Sequence, residues 1–512
     1  MRAPWLCAFV AFVVLALGAC PAWAWLDAGE LAAAGFDLGV AHPPGAPGLL
    51  MLLRLATLVP LGSLGLRMAL VSGALGAAAV GLVVAVLERR GAHPVLAAIA
   101  GLWVLAGLTF VRQGRVVEVY ALAAALLMVV LWGLDPAVSE ARRTGRRLVA
   151  VAAATWAAWC FGDLRLALGP LLLVLWIRAW RAHAPWARWA PVVAAWASLV
   201  ILALPLASAG APELDWGDPD TLGAMIDQLA ARSIREAYAD EILPASWPAW
   251  GLAGRGVLER LAEDLGAPGL TVAAACVALA FRTDPAEPPG VTRGTALAIA
   301  WLVAVEVVYA VGINPMGGPD RQTGLPLALL AALAVGDVSR RWLRDRGRLR
   351  WAVLPLLATV RILPAALRST PDAATTRSWA PHAWTRAALA QLPPGALLLT
   401  QSDDLAAGVA AARLLEGARP DVVAVPAQHL YRATPEAAAA DPRRAAIWEA
   451  AHAAGDEIGR IEAAIAAHAG PVALESAGAG LFARVRWWSD VGRLPLAIAG
   501  PGAPAGGVVP PD

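Results

Sequence analysis

Lysine is absent from this 512-residue chain, so all 41 basic residues are arginine. Charge of either sign is also scarce. Only 16% of residues are charged and 59% are hydrophobic, whereas soluble domains carry roughly a quarter charged residues. That balance excludes a set of water-soluble domains of this length. The formal net charge of +2 gives no basic surface on which to build a nucleic-acid binder. The four cysteines, Cys7, Cys20, Cys160 and Cys276, lie in apolar segments at no metal-ligand spacing and so imply neither a disulfide framework nor a cysteine-ligated zinc. The all-arginine usage reads as coding bias, and it supplies planar forks wherever a phosphate must be held.

What the chain has in quantity is apolar runs of near-spanning length, for which about 20 residues are needed. The first, 5–24, follows Arg2. Its Leu17-Gly18-Ala19-Cys20 end resembles a lipoprotein cleavage box, but the later runs share its composition, so it is read as a first span. Further spans are expected at 65–87, 94–111, 116–134, 148–161, 164–180, 191–209, 270–281, 294–313, 323–338 and 351–367, about eleven in all. The run 48–58 is too short to cross and is expected along the interface. Loops at 88–90, 142–147, 178–188, 282–293 and 340–350 hold most of the arginines. By the positive-inside rule they are cytoplasmic, and the alternating loops, with everything after Leu367, lie outside.

The first outer loop concentrates chemistry. Asp27 and Glu30 are three apart and share one face of any helix, and His42-Pro43-Pro44-Gly45 follows as a rigid turn. A capping box, with each carboxylate serving the helix terminus, is the plain alternative for Asp27 and Glu30. A second outer loop, 210–268, is acidic. In it Asp215-Trp216-Gly217-Asp218-Pro219 reads as a turn into a helix over 221–239 that carries Arg232 and Arg235 on one face. Glu118 behind Arg112 and Arg115, Asp163 beside Arg165, and the pair Asp320-Arg321 complete an expected outer rim of charge near membrane depth, where charge is costly and defaults to function. After Leu367 hydropathy falls. A strand at 396–400, a helix from Asp403 to Leu415 and a strand at 422–425 form one βαβ unit. The expected domains are 1–368, a helical membrane bundle, and 369–500, an extracytoplasmic α/β domain, with a disordered tail at 501–512.

Asp27-Ala-Gly-Glu30 followed by Leu38-Gly-Val-Ala-His42-Pro-Pro-Gly45 resembles the first outer loop of a family of polytopic GT-C glycosyltransferases. The family is typified by the plexin-modifying animal transmembrane O-mannosyltransferase and includes bacterial relatives of unassigned function. Glu118-Val-Tyr120, Asp215-Trp-Gly-Asp-Pro219 with Arg232, Asn314-Pro-Met-Gly317 with Asp320-Arg321, and Arg419-Pro-Asp-Val422 match in order. The resemblance implies a lipid-phosphate-linked sugar donor and transfer outside the cytosol with inversion. Asp27 would then be the base for the acceptor hydroxyl and Glu30 its support. From charge alone, Arg321, with His42 or Arg112, is expected to steady the lipid phosphate, and Glu118, Asp163, Asp218, Arg232 and Asp320 join the expected substrate-binding set. Two departures stand out: 162–165 lacks an asparagine-histidine pair carried by many relatives, and the tail has no helical-repeat period.

The expected protein is therefore an inverting glycosyltransferase of a bacterial inner membrane. It would move mannose or another sugar from a polyprenyl-phosphate donor to a hydroxyl of a protein or glycan at the periplasmic face. A divalent cation on Asp27, Glu30 and Asp218 is compatible with oxygen ligation but not required by the spacing. The rival reading is a transporter or flippase of lipid-linked sugars, which broken helices repeated in two halves would favour. An inactive assembly factor is a third.

Overall fold

The computed structural model describes residues 2–136, 140–244, 246–266, 270, 274, 293–317, 321, 323–344, 377–430 and 441–475. The chain forms two compact units, neither continuous in sequence. One contains residues 1–19, 70–201 and 235–377, the other 20–69, 202–234 and 378–512. The expected boundary at 368–369, the spans at 270–281 and 351–367, Asp320 and the tail from 501 fall outside the described residues, apart from positions 270 and 274.

The first unit is helical, and each of the nine remaining expected spans contains a helix. The first, 5–24, is helical only to Leu17, and its last residues belong to the other unit, where Ala22 and Trp23 pack in the core. Tyr120–Leu134, Glu140–Cys160, Gly162–Arg181 and Pro185–Ser198 pack in succession, and Leu325–Arg344 lies on Pro94–Leu105. Close approach is set by small residues. A Cβ on Gly133 would sit 2.6 Å from the Arg146 carbonyl, and one on Gly336 2.6 Å from the Leu87 side chain. At the arginine-rich end, Arg89 and Arg146 stack over the Trp132 ring at 4.9 and 4.3 Å. There Arg90 faces the fully buried Asp135 carboxylate at 3.6 Å.

Two more expected spans differ in detail. The run 94–111 is two helices, Pro94–Leu105 and Leu108–Gln113, because Gly107 is extended and the Asp264 carboxylate accepts the Thr109 N–H at 2.8 Å, starting a new helix. The run 191–209 continues Pro185–Ser198 through a 3₁₀ turn, Leu199–Leu202, into Ala203–Ser208. Among the described residues, two helices are by length and composition long and apolar enough to cross a membrane, Leu64–Arg89 and Pro185–Ser208. The latter is 11% buried and shows Trp189, Trp196 and Leu206 at 60–73% exposure. So large an unpartnered apolar face belongs in lipid rather than water.

The second unit is α/β. Strands β1 (Leu397–Thr400), β2 (Val423–Pro426) and β3 (Val472–Leu474) form a parallel sheet in the order β2-β1-β3. The expected βαβ unit is present, with helix Asp403–Glu416 as its crossover. Both sheet faces are covered, which is why β1 reads as an unbroken apolar run. Leu397 and Leu399 point toward Trp448, Ile461 and Ile465, and Leu398 packs with Leu389, Leu405 and Val409.

Onto this unit folds the first loop. Helix Ala28–Asp37 buries Leu31 and Ala32 to Ala34 between helix Asp403–Glu416 and helix Pro47–Thr57. Gly29 lets it approach, since a Cβ there would lie 2.6 Å from the Ala407 carbonyl. Fully buried Leu31, Leu49 and Leu53 contribute about 1.5–3 kcal/mol each. The run 48–58, expected along the interface, is this Pro47–Thr57 helix, with Met51 and Leu55 exposed on its other side. The helix expected over 221–239 is broken: Leu222–Leu229 is followed by Ala231 at φ +51° and then Arg232–Ala237.

Candidate active site

Asp27 precedes helix Ala28–Asp37, and the residue before it, Leu26, has φ +60°. That unusual backbone is held from a distance, because the Asp404 carboxylate accepts the Leu26 N–H at 2.6 Å. The capping box does not form. The Asp27 side chain makes no capping bond, and Glu30 turns the other way, toward His42.

Glu30 Oε1 accepts the His42 backbone N–H at 2.6 Å, and its Oε2 lies 3.2 Å from the ring Nδ1. One carboxylate thus fixes both the backbone and the ring of His42. The other ring nitrogen, Nε2, then faces Asp27 Oδ2 at 3.8 Å. The three side chains are 15–24% exposed, sheltered yet reachable.

The loop that delivers His42 is built for close contact. Gly39 is required because a Cβ there would lie 2.4 Å from the Leu214 carbonyl. Val40 pairs with Asp215 in a parallel bridge, Val40 N–H donating to Leu214 O at 2.8 Å and Trp216 N–H to Val40 O at 3.2 Å. Gln228, buried, donates to the Ala41 carbonyl at 2.8 Å. The Pro43-Pro44 bond is cis, and Gly45 at φ +89° closes the turn back onto the His42 carbonyl. Trp216 then meets the imidazole edge-on, with ring centres 6.2 Å apart.

Two carboxylates and an imidazole so disposed can take a proton from a hydroxyl. Among the described residues they are also the one group able to hold a metal ion, each offering a ligand atom within 4.8 Å of the others. Oxygen and imidazole donors together suit a divalent ion of the zinc or manganese kind. His42 stands where the sequence suggested Asp218. Asp218 itself, at φ +41°, has its Oδ1 2.7 Å from the Ser208 hydroxyl, whose other neighbour is Asp215 Oδ2 at 2.8 Å.

Arg232 is in an exposed pair with Asp227 at 3.2 Å. Arg112, Glu118, Asp163 and Arg321 belong to the helical unit. There Glu118 is buried against Ser72, which takes its backbone N–H at 3.3 Å. Asp163 shares a hydrogen bond with the Glu306 carboxyl. Arg321, at φ +59°, pairs with Glu263 and donates to Thr109 Oγ1 at 3.2 Å.

Several contributors carry no sequence signature. Asp404 reads only as a helix start, yet it holds Leu26. Arg413 and Arg444 converge on Glu213, at 2.6 and 3.5 Å. Glu475, fully buried, gathers the N–H groups of Gln401 and Ser402 and the Ser402 hydroxyl. The Arg419-Pro-Asp-Val422 motif is a clamp. Arg419 donates to the carbonyls of Leu389, Leu392 and Pro393 and to Asp421, and this guanidinium holds the Asp421 carboxyl well below the usual carboxylate range.

Residues 27–186 match the family model described as the protein O-mannosyl-transferase TMEM260 N-terminal domain, a segment that opens at Asp27. The mouse (Mus musculus) protein O-mannosyl-transferase TMEM260 is 39% identical over 98 residues, which are 19% of this chain and 14% of the mouse protein. The match thus spans about a seventh of that relative's length. Two crystal structures of ArnT from Cupriavidus metallidurans are also similar, one bound to undecaprenyl phosphate and one in the apo state. They have TM-scores of 0.44 and 0.43 at 17% identity, covering 87% and 82% of this chain and 89% and 88% of ArnT. Asp27, Glu30 and His42 all lie inside the matched segment.

Proposed function

We propose that the protein is an inverting, membrane-embedded glycosyltransferase that moves a sugar from a polyprenyl-phosphate donor to a hydroxyl of a protein at the outer face of a bacterial inner membrane. The observation that carries this reading is the release of Asp27 and Glu30 from helix capping and their convergence with His42. In the reaction the acceptor oxygen attacks the anomeric carbon as the carbon–oxygen bond to the lipid phosphate breaks. Polyprenyl phosphate leaves on the opposite face, and the hydroxyl proton passes to Asp27. Glu30 holds His42 in place, and the imidazole beside Asp27 stabilises the carboxyl as it takes up the proton.

The family name of the mouse relative supports a mannosyl donor and a protein acceptor, and the arginine-only, alanine-rich composition supports a bacterial source. The test is transfer from labelled polyprenyl-phosphate mannose in membranes carrying wild type, Asp27→Asn or Glu30→Gln. Loss in Asp27→Asn with protein level and donor binding unchanged supports the reading, and full activity in that variant removes Asp27 from the mechanism.

A further inference from the structure

One cavity within the α/β unit begins at Glu30 and is not used by the chemistry above. It is small, about 60 Å³, several times the roughly 10–15 Å³ that one buried water needs and enough for a single short side chain. Its walls come from four places far apart in sequence: Val40, the bridge segment ending at Trp216, the inner face of helix Asp403–Glu416 at Val409 and Ala410, and Ala424 of β2, with Trp448 beyond. These walls are overwhelmingly apolar. The two guanidiniums at the rim, Arg413 and Arg444, are turned onto Glu213, and with Glu30 and Asp215 also lining the space the cavity offers no net positive charge for an acidic occupant.

We propose that this cavity is the acceptor subsite, and that it takes an aliphatic side chain of the acceptor polypeptide next to the serine or threonine that receives the sugar. The proposal rests on the glycosyltransferase reading for its orientation: Glu30 lines the cavity and belongs to the reactive trio, so an occupant is carried directly to that trio. Apolar walls with aromatic ends fit an aliphatic residue and reject a carboxylate, which would lie uncompensated beside Glu30 and Asp215. Substrate selection would then be read one residue away from the reacting hydroxyl.

The test uses the full-length protein in detergent with threonine peptides that differ only in the neighbouring residue, valine or aspartate. Each peptide carries a diazirine for photo-crosslinking and is also assayed for transfer. We expect the valine peptide to label Val409, Ala410 or Trp448 at least tenfold more than the aspartate peptide. Labelling should fall by a similar factor in Ala410→Trp and in Ala424→Leu, which narrow the cavity from opposite walls and guard against one variant failing to fold. In Asp27→Asn labelling should persist while transfer is lost. Labelling outside the cavity, or labelling indifferent to both narrowing variants, overturns the subsite. Cavity labelling without transfer by the wild type keeps the peptide site and overturns the enzyme reading, so the two failures are distinguishable.

Discussion

Four acidic helix starts in the α/β unit are used in different ways. Asp441 accepts the Arg443 N–H at 3.0 Å and Asp456 accepts the Gly459 N–H at 2.7 Å, each capping its helix, while Ser402 caps for Asp403 and Asp404 by taking the Leu405 N–H at 3.2 Å. Asp27, at the head of helix Ala28–Asp37, makes no such bond. A cap contributes about 1 kcal/mol, and the helix that forgoes it is kept instead by burial against two neighbours. The Asp27 carboxylate faces His42 at 3.8 Å instead of the helix end, and the comparison separates the two uses of the same residue type.

The largest effect should come from breaking the uncapped end. Asp27→Asn is expected to lower transfer by about 10²–10⁴-fold, the usual contribution of a general base. Its melting temperature should fall by less than that of Asp456→Ala, because no capping bond is lost. Asp456→Ala is the mirror experiment: transfer retained, and stability lower by about 1 kcal/mol in denaturant unfolding. If Asp27→Asn melts below Asp456→Ala and Asp456→Ala loses transfer, the contrast is void.

Chelation sharpens the same end. If the trio holds a divalent ion, transfer falls on dialysis against EDTA, returns with added manganese, and loses that dependence in His42→Ala. Unchanged transfer after exhaustive chelation assigns the trio to proton transfer alone.

Next in size is Gly39→Ala, which forces a Cβ against the Leu214 carbonyl and should destabilise by about 1–3 kcal/mol while displacing His42. Thermal unfolding together with transfer would read both consequences.

The smallest effect concerns Asp421, whose carboxyl is held low by Arg419 and the Gly395 N–H. A depressed folded-state value favours the folded chain above the ordinary carboxylate pKa of about 4, and that contribution fades as pH falls through the lowered value. Asp421→Asn should therefore be less stable than wild type at pH 5–7, with the difference closing toward strongly acid pH. Since 39% of the side chain is exposed, solvent screens the pair and the gap should be modest. Parallel curves throughout would show that the clamp works by its hydrogen bonds alone.

Much of the fold is legible along the chain because it depends on local quantities. Apolar runs of sufficient length form helices over most of their described residues, the end of the first run after Leu17 excepted, and the βαβ unit follows from short apolar strands flanking an acid-started helix. What reading along the chain misses depends on contacts from elsewhere: the break after Leu105 comes from Asp264, some 160 residues on, and the break at Ala231 from a left-handed residue that no sequence rule demanded. For Asp27 and Glu30 the spacing allowed either a cap or a site, and the N-terminal sequence alone does not choose.

The sequence by itself determined an apolar, arginine-only chain of many helices, an α/β segment near its end, and a first loop whose carboxylates and histidine are close enough along the chain to meet. Only the tertiary structure decided that they do meet. Glu30 can bind His42 because Gly39, the Val40–Asp215 bridge and Gln228 fold the loop back, and Asp27 is presented as it is because Asp404 holds the backbone before it. Those constraints come from segments some 175 to 380 residues away. Hydrogen bonds and close packing act over a few ångströms in space, whatever the separation along the chain, so no local pattern can encode them.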